Sequence, residues 1–234
     1  MDAPTPRTRD LAVTAALVAL TLGLRVPWLG ALPNPCGDEG NWPLYALRIS
    51  RGARVDLTAD AGFVSLAWAR LIATAFRVFG ASFATARAVP VGAALLGVAA
   101  VYAVSVRRDG RAAATAMALA VAVHPWSVWW SRTSSVPYAL SFALCTVGML
   151  LARDGASWWR AAVAFQCLGM AVQGSPLAAL AFATAVLTSR EHWRRPAWWA
   201  AVALGALHMV PVAIGVLAVP HAARQSMGVA EPLG

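Results

Sequence analysis

The chain has 234 residues, of which 59% are hydrophobic and 12% charged, with a mean hydropathy of +0.62. Its formal net charge of +9 comes from 19 basic residues, all arginine, against 10 acids. That balance excludes a water-facing fold and disfavours nucleic acid as a partner, because the arginines sit mostly in short segments between apolar runs, where they suit lipid phosphates and the setting of topology.

Apolar runs of spanning length recur along the sequence. They predict a single all-α integral membrane domain over residues 1–234 with about seven transmembrane helices. The first span runs from Leu11 to Leu29 behind Arg7 and Arg9, is read as uncleaved, and has a cytoplasmic N-terminus. Arg25, near its outer end, is expected to snorkel to the interface. Residues 31–87 then form a long first extracytoplasmic loop. Within it Asn41 caps a helix that carries Pro43 in its first turn and stops at Arg51 and Gly52. A second, amphipathic helix covers 63–79. Its Arg70 and Arg77 argue against a span, since a centred arginine costs about 2.5–3.5 kcal/mol on insertion scales. Both helices are therefore expected at the outer interface, with the two arginines as lipid-facing anchors.

Six further spans are expected at 88–106, 112–130, 136–152, 158–174, 176–189 and 197–219. Arg107, Arg108 and Arg111, then Arg153 and Arg160, then Arg190, Arg194 and Arg195 fall in connections on one side, which the positive-inside rule makes cytoplasmic. The protein is thus expected in the cytoplasmic (inner) membrane, with the long loop outside. Trp28, Trp42, Trp126, Trp129 and Trp130 should ring the outer interface, and Trp158, Trp159, Trp193, Trp198 and Trp199 the inner one.

The chemistry-bearing segment is Gly37-Asp38-Glu39-Gly40-Asn41-Trp42, two adjacent carboxylates just beyond the first span. A carboxylate near a helix N-terminus and among arginines stays ionised, as a general base requires; the same placement also suits an acid pair that only favours the helix dipole. Arg87 and Arg132, at the outer ends of the second and third spans, can grip phosphate oxygens through two donors or serve as interfacial anchors. Tyr138 can donate a hydrogen bond to a sugar or sit in the aromatic belt. Gln166 and Gln173, two helical turns apart, read as interhelical hydrogen-bond partners. His124, His192, His208 and His221 show no metal-gathering spacing. Cys36, Cys145 and Cys167 show neither metal-ligand spacing nor a disulfide framework. No cofactor is called for, and the metal requirement stays open. A glycine-rich nucleotide loop is missing, which disfavours a soluble nucleotide-sugar donor.

The order "LRVPWLGALPNPCGDEGNWPLYALRISRG", an amphipathic helix closing in "FRVFG", then "ATARAVP" and later "WSRTSSVPYALSFAL" resembles the N-terminal module of GT-C glycosyltransferases. The likeness is to the glycosyltransferase family 39 group, which includes protein O-mannosyltransferases and aminoarabinose transferases. The resemblance implies inverting transfer of a sugar from a polyprenyl-phosphate donor to an acceptor on the extracytoplasmic face. It also implies that Asp38 is the catalytic base, with Glu39 orienting it or the acceptor. Arg87 and Arg132 are then the donor-phosphate partners, and Tyr138 and Asn41 the substrate contacts. Many family members carry a basic or His-Pro-Pro entry to the second loop helix, where this chain has Ala61-Gly62-Phe63-Val64, and members are usually longer than this chain. The alternative expectation is a non-catalytic membrane module, or half of such an enzyme, that binds polyprenyl lipid or a partner membrane subunit. A transporter is disfavoured by the scarcity of buried charge in the spans.

Overall fold

In the computed structural model, ten α-helices and two short 3-10 turns make up the regular structure among the described residues, with no strand. Those residues are 6–31, 39, 41–53, 66–134, 137–153, 157–175, 177–210 and 213. Each segment expected to span contains a helix among the described residues, but the first helix ends at Arg25, four residues short of the expected Leu29, and the expected span 112–130 is interrupted at 124. Asp38, Cys36, Arg54, Ala61-Gly62-Phe63-Val64, His221 and the expected span beyond 213 lie outside the described residues.

α1 (Pro6–Arg25) starts with proline at its first position, where the missing N–H has no helical partner to lose. α2 (Asn41–Ser50) and α3 (Leu66–Phe79) pack as a pair on the N-terminal part of α4 (Phe83–Val106), through Trp42, Ala46, Trp68, Ile72, Phe76 and Ala86. Gly52 at φ +85° closes α2, with Ala53 N–H donating to Arg48 O and Gly52 N–H to Ile49 O. This is the left-handed cap that glycine alone adopts without strain. Arg77 of α3 donates to the Ile49 and Ser50 carbonyls at 2.9 and 3.3 Å, so it caps α2 and is not only a lipid anchor. Trp42, expected in the outer aromatic ring, is 3% exposed in this cluster.

α4 is longer than its expected range. Ser82 accepts a hydrogen bond from Thr85 N–H at 3.0 Å, starting the helix at Phe83 and bringing Arg87 inside it. Its 24 residues make it the one described helix long and apolar enough by itself to cross a bilayer.

The expected span 112–130 is broken. α5 (Gly110–Val123) and α6 (Pro125–Ser131) meet at a 55° bend around His124. Pro125 has no N–H and its ring bars the preceding residue from the helical region, so His124 sits at ψ 122°. The imidazole Nδ1 then accepts from Trp126 N–H at 3.2 Å and caps the new helix. Together the two are long and apolar enough to cross a bilayer as one bent span.

α7 (Tyr138–Arg153), α8 (Trp158–Gly174), α9 (Ala178–Thr188) and α10 (Pro196–Ala206) complete the bundle. They approach closely at small residues: Gly148 lies against Leu168 and the Ala164 carbonyl, Gly169 against the Gly205 backbone, and Gly205 against the Phe165 carbonyl. Trp198, expected in the inner ring, is instead buried against Phe165. Gln166 and Gln173 do find an interhelical partner, and it is the same one. His208 lies between them, Nε2 facing Gln166 Oε1 and Nδ1 facing the Gln173 amide at 3.1 Å.

Polar connections gather at two ends. At one, Arg111 pairs with Asp10, Arg107 and Arg160 line one cavity, and Ser189 Oγ donates to Ala152 O. At the other lie Glu39, the turn after α1 and the segment after α6.

Candidate functional site

The end of the bundle that carries Glu39 is organised by one ion pair. Arg87 Nε donates to Glu39 Oε1 at 2.7 Å and Nη2 to Oε2 at 2.9 Å, a two-point grip between side chains that are both fully buried. Further hydrogen bonds tie the pair to neighbouring backbone and hydroxyl groups. Arg87 Nη1 donates to the Leu29 carbonyl at 2.8 Å, and Glu39 Oε1 accepts from Ser134 N–H at 3.0 Å and Ser134 Oγ at 3.3 Å. Trp68 Nε1 points at the Ser134 carbonyl from 3.5 Å, tying α3 to the same cluster. Buried charges persist only when paired and hydrogen-bonded, and this pair meets both conditions.

The turn after α1 supplies backbone acceptors to two arginines. Trp28 sits at φ +54°, in a left-handed conformation that a bulky residue rarely holds. Hydrogen bonds from Leu29 N–H to Val26 O and from Ala31 N–H to Trp28 O fix that turn. Leu29 O then meets Arg87, and Pro27 O accepts from Arg132 Nη2 at 2.8 Å. Strain of this kind survives where surrounding contacts over-determine the backbone.

Arg25 departs from expectation. Instead of snorkelling it is fully buried, donating from Nε to Ser131 Oγ at 2.7 Å, from Nη2 to Ser127 Oγ at 3.1 Å and from Nη1 to Ala122 O at 2.8 Å. The break at His124 strips Ala122 O of its helical partner, because Trp126 N–H turns to the imidazole. Arg25 fills that vacancy as a cation at a helix C-terminus, where the dipole favours it. The bundle therefore does bury charge, contrary to the sequence-based premise against a transporter, but here the guanidinium joins α1 to the bent pair as a structural tie.

The turn after α1, Glu39, Arg87 and the segment from Arg132 to Ser134 thus come together from four parts of the chain. Asp38, the chain neighbour of Glu39, lies outside the described residues. Glu39 takes an anchoring role: its carboxylate is occupied by Arg87 and Ser134. Arg87, expected to meet a donor phosphate, spends both forward donors on Glu39. Arg132 borders an apolar groove of about 420 Å³ between α1 and the bent pair, with Leu20, Leu24, Val123, Val128 and Trp129 along its walls. Tyr138 belongs to an aromatic cluster, its ring 4.7 Å from Trp130 and 5.8 Å from Trp126. Asn41 is exposed at the first position of α2. Sequence reasoning missed Ser134 and the carbonyls of Pro27 and Leu29. Backbone acceptors carry no residue signature, but Ser134 stood within the quoted "WSRTSSVP" run.

No protein-family model matches the chain, and no curated protein or solved structure matches it either.

Proposed function

We propose that the chain is a multi-pass membrane transferase that moves a sugar from a polyprenyl-phosphate donor to an acceptor at the extracytoplasmic face of the inner membrane, with about seven spans. The observation that carries this reading is the buried Glu39–Arg87 pair, which pins the residue next to Asp38 to the end of a 24-residue apolar helix. An acid pair held by a buried salt bridge has one member committed to the fold and leaves the other for chemistry. The membrane part of the proposal draws on the apolar perimeter, where Leu96 and Leu180 stand 75% and 69% exposed.

In this reading Asp38 accepts the proton of an acceptor hydroxyl as its oxygen attacks the anomeric carbon. The bond from that carbon to the phosphate oxygen breaks on the opposite face, inverting the centre, and polyprenyl phosphate leaves with the electron pair. Arg132 meets the leaving phosphate, and the groove it borders takes the first isoprene units. Arg87 is reassigned from phosphate partner to positioning residue. Tyr138, packed on Trp126 and Trp130, offers a stacking wall for the sugar.

The second reading, a non-catalytic lipid-binding module, is favoured by the same commitment of Arg87 to Glu39, which makes this end self-sufficient as a scaffold. Transfer assays in membranes supplied with radiolabelled polyprenyl-phosphate sugars separate the two. The transferase reading expects Asp38→Asn to abolish label transfer at matched expression while lipid binding persists. Label bound by both proteins and transferred by neither supports the module instead.

A further inference from the structure

The opposite end of the bundle holds a second feature that the transferase reading does not use. Where α4 ends, Arg107 and Arg108 face α7 and the start of α8 across a cavity of about 640 Å³ lined also by Val104, Leu151, Trp159 and Arg160. That volume falls in the range of about 300–1,000 Å³ typical of ligand pockets. Three guanidinium groups border it, and no carboxylate lines it among the described residues. Asp109 meets Arg108 at 3.3 Å from one side, and Arg160 lies 5.4 Å from the Trp159 ring centre. Arg107 pairs with no carboxylate among the described residues. It also borders a neighbouring cavity of the same volume, where Arg111 is engaged by Asp10. Among the described residues, positive charge is therefore concentrated on the α7–α8 side.

We propose that this chamber is a headgroup site for an anionic phospholipid. Arginine's planar fork matches the paired oxygens of a phosphate diester. The walls decide for a lipid over a free anion: Val104, Leu151 and the Trp159 indole stand beside the cations, where a glycerol backbone and the first acyl carbons would lie. Trp158 and Trp159, 67% and 53% exposed, present indoles at the same level, as at a membrane interface. Distance agrees. Arg87 and Arg107 are separated by twenty residues of helix, about 30 Å at 1.5 Å per residue, which is the hydrocarbon thickness of a bilayer. The chamber thus lies at the inner headgroup level when the Glu39 end is at the outer one. Basic pockets between helices on the cytoplasmic side are suited to such headgroups.

The proposal rests on the membrane-spanning reading and is independent of the transferase reading. Retention of the chain in membranes washed with alkaline carbonate tests the first; a chain released by the wash overturns the membrane reading and this site with it. For a chain that is retained, native mass spectrometry of the purified full chain, titrated with phosphatidylglycerol or phosphatidylcholine of equal acyl length, tests the site itself. Phosphatidylglycerol should be retained preferentially, and Arg107→Gln/Arg160→Gln should weaken it at least tenfold, since each cation near an anionic surface is worth roughly fivefold in partition. Arg70→Gln, exposed on α3 near the other end, should leave retention unchanged. Equal retention of both lipids, or equal loss in Arg70→Gln and the double variant, overturns the proposal. Displacement of the lipid by millimolar inorganic phosphate overturns the lipid assignment in favour of a free-anion site. Arg107→Gln alone, at an exposed position, guards against misfolding of the double variant.

Discussion

Removing one member of the Glu39–Arg87 pair should be among the most damaging single changes available to this protein. Arg87→Met keeps an unbranched apolar stem but deletes both bonds to Glu39 and the one to Leu29 O, leaving a fully buried carboxylate held by Ser134. Glu39→Gln does the converse, placing an amide donor against the guanidinium. A broken buried pair costs about 3–5 kcal/mol, most of it the penalty of the charge left behind. In Glu39→Gln/Arg87→Met no charge is stranded, so the double variant should lose about as much as one single variant rather than twice as much, a coupling of about 3 kcal/mol. Equilibrium unfolding in mixed micelles, followed by tryptophan fluorescence across the four proteins of the cycle, reads that coupling. Additive losses, or singles within about 0.5 kcal/mol of the parent, would refute the claim that this contact anchors the segment bearing Asp38.

Arg25→Leu should destabilise the protein by about 2–4 kcal/mol, because Ala122 O and two serine hydroxyls lose their partner in a buried site; the same unfolding assay checks it, and a loss below 1 kcal/mol would contradict the structural-tie role. Gly205→Ala places a methyl group against the Phe165 carbonyl and side chain, so α8 and α10 must separate. The expected cost is about 1–3 kcal/mol, read as a lower melting temperature and faster proteolysis after α8. At the other end, the hydrogen bond from Arg111 holds the Asp10 carboxyl below its ordinary 3.8, against an opposing effect of desolvation. A depressed folded-state value means the contribution is complete above the unfolded-state pKa and is lost as pH falls through the folded one. The melting difference between the parent and Asp10→Asn should therefore be constant at neutral pH, begin to shrink only near the unfolded-state value of about 4, and vanish once pH is below the depressed folded-state value; a difference that grows on acidification would contradict the pairing.

Local signals with a backbone mechanism were legible in the sequence. Pro43 in the first turn and Gly52 at the close bracket α2 as their conformational preferences demand, whereas Asn41, expected as the cap, is the first helical residue; Gly174 ends α8 before a proline. Features that depend on three-dimensional meeting were not. The expected span 112–130 ran unbroken across Pro125, and the break there is completed by Arg25 arriving from α1 to satisfy the freed carbonyl. The burial of Arg87 depended on Glu39 standing opposite, 48 positions away in sequence. Trp42 and Trp198 show the limit of composition rules: an indole suits an interface and a core equally, and only packing against Trp68 or Phe165 decides.

An outer carboxylate site and an inner basic chamber require the two ends of α4 to face opposite sides of a bilayer, and cysteine labelling in intact cells measures that directly. Cys36, two residues before Asp38, serves as the outer reporter in a Cys145→Ala/Cys167→Ala background, and Asp109→Cys in a cysteine-free background serves as the inner one. A membrane-impermeant maleimide should label Cys36 in intact cells and the residue introduced at 109 only after permeabilisation. Equal labelling of both positions from outside, or the reverse pattern, would contradict the topology and the placement of both sites.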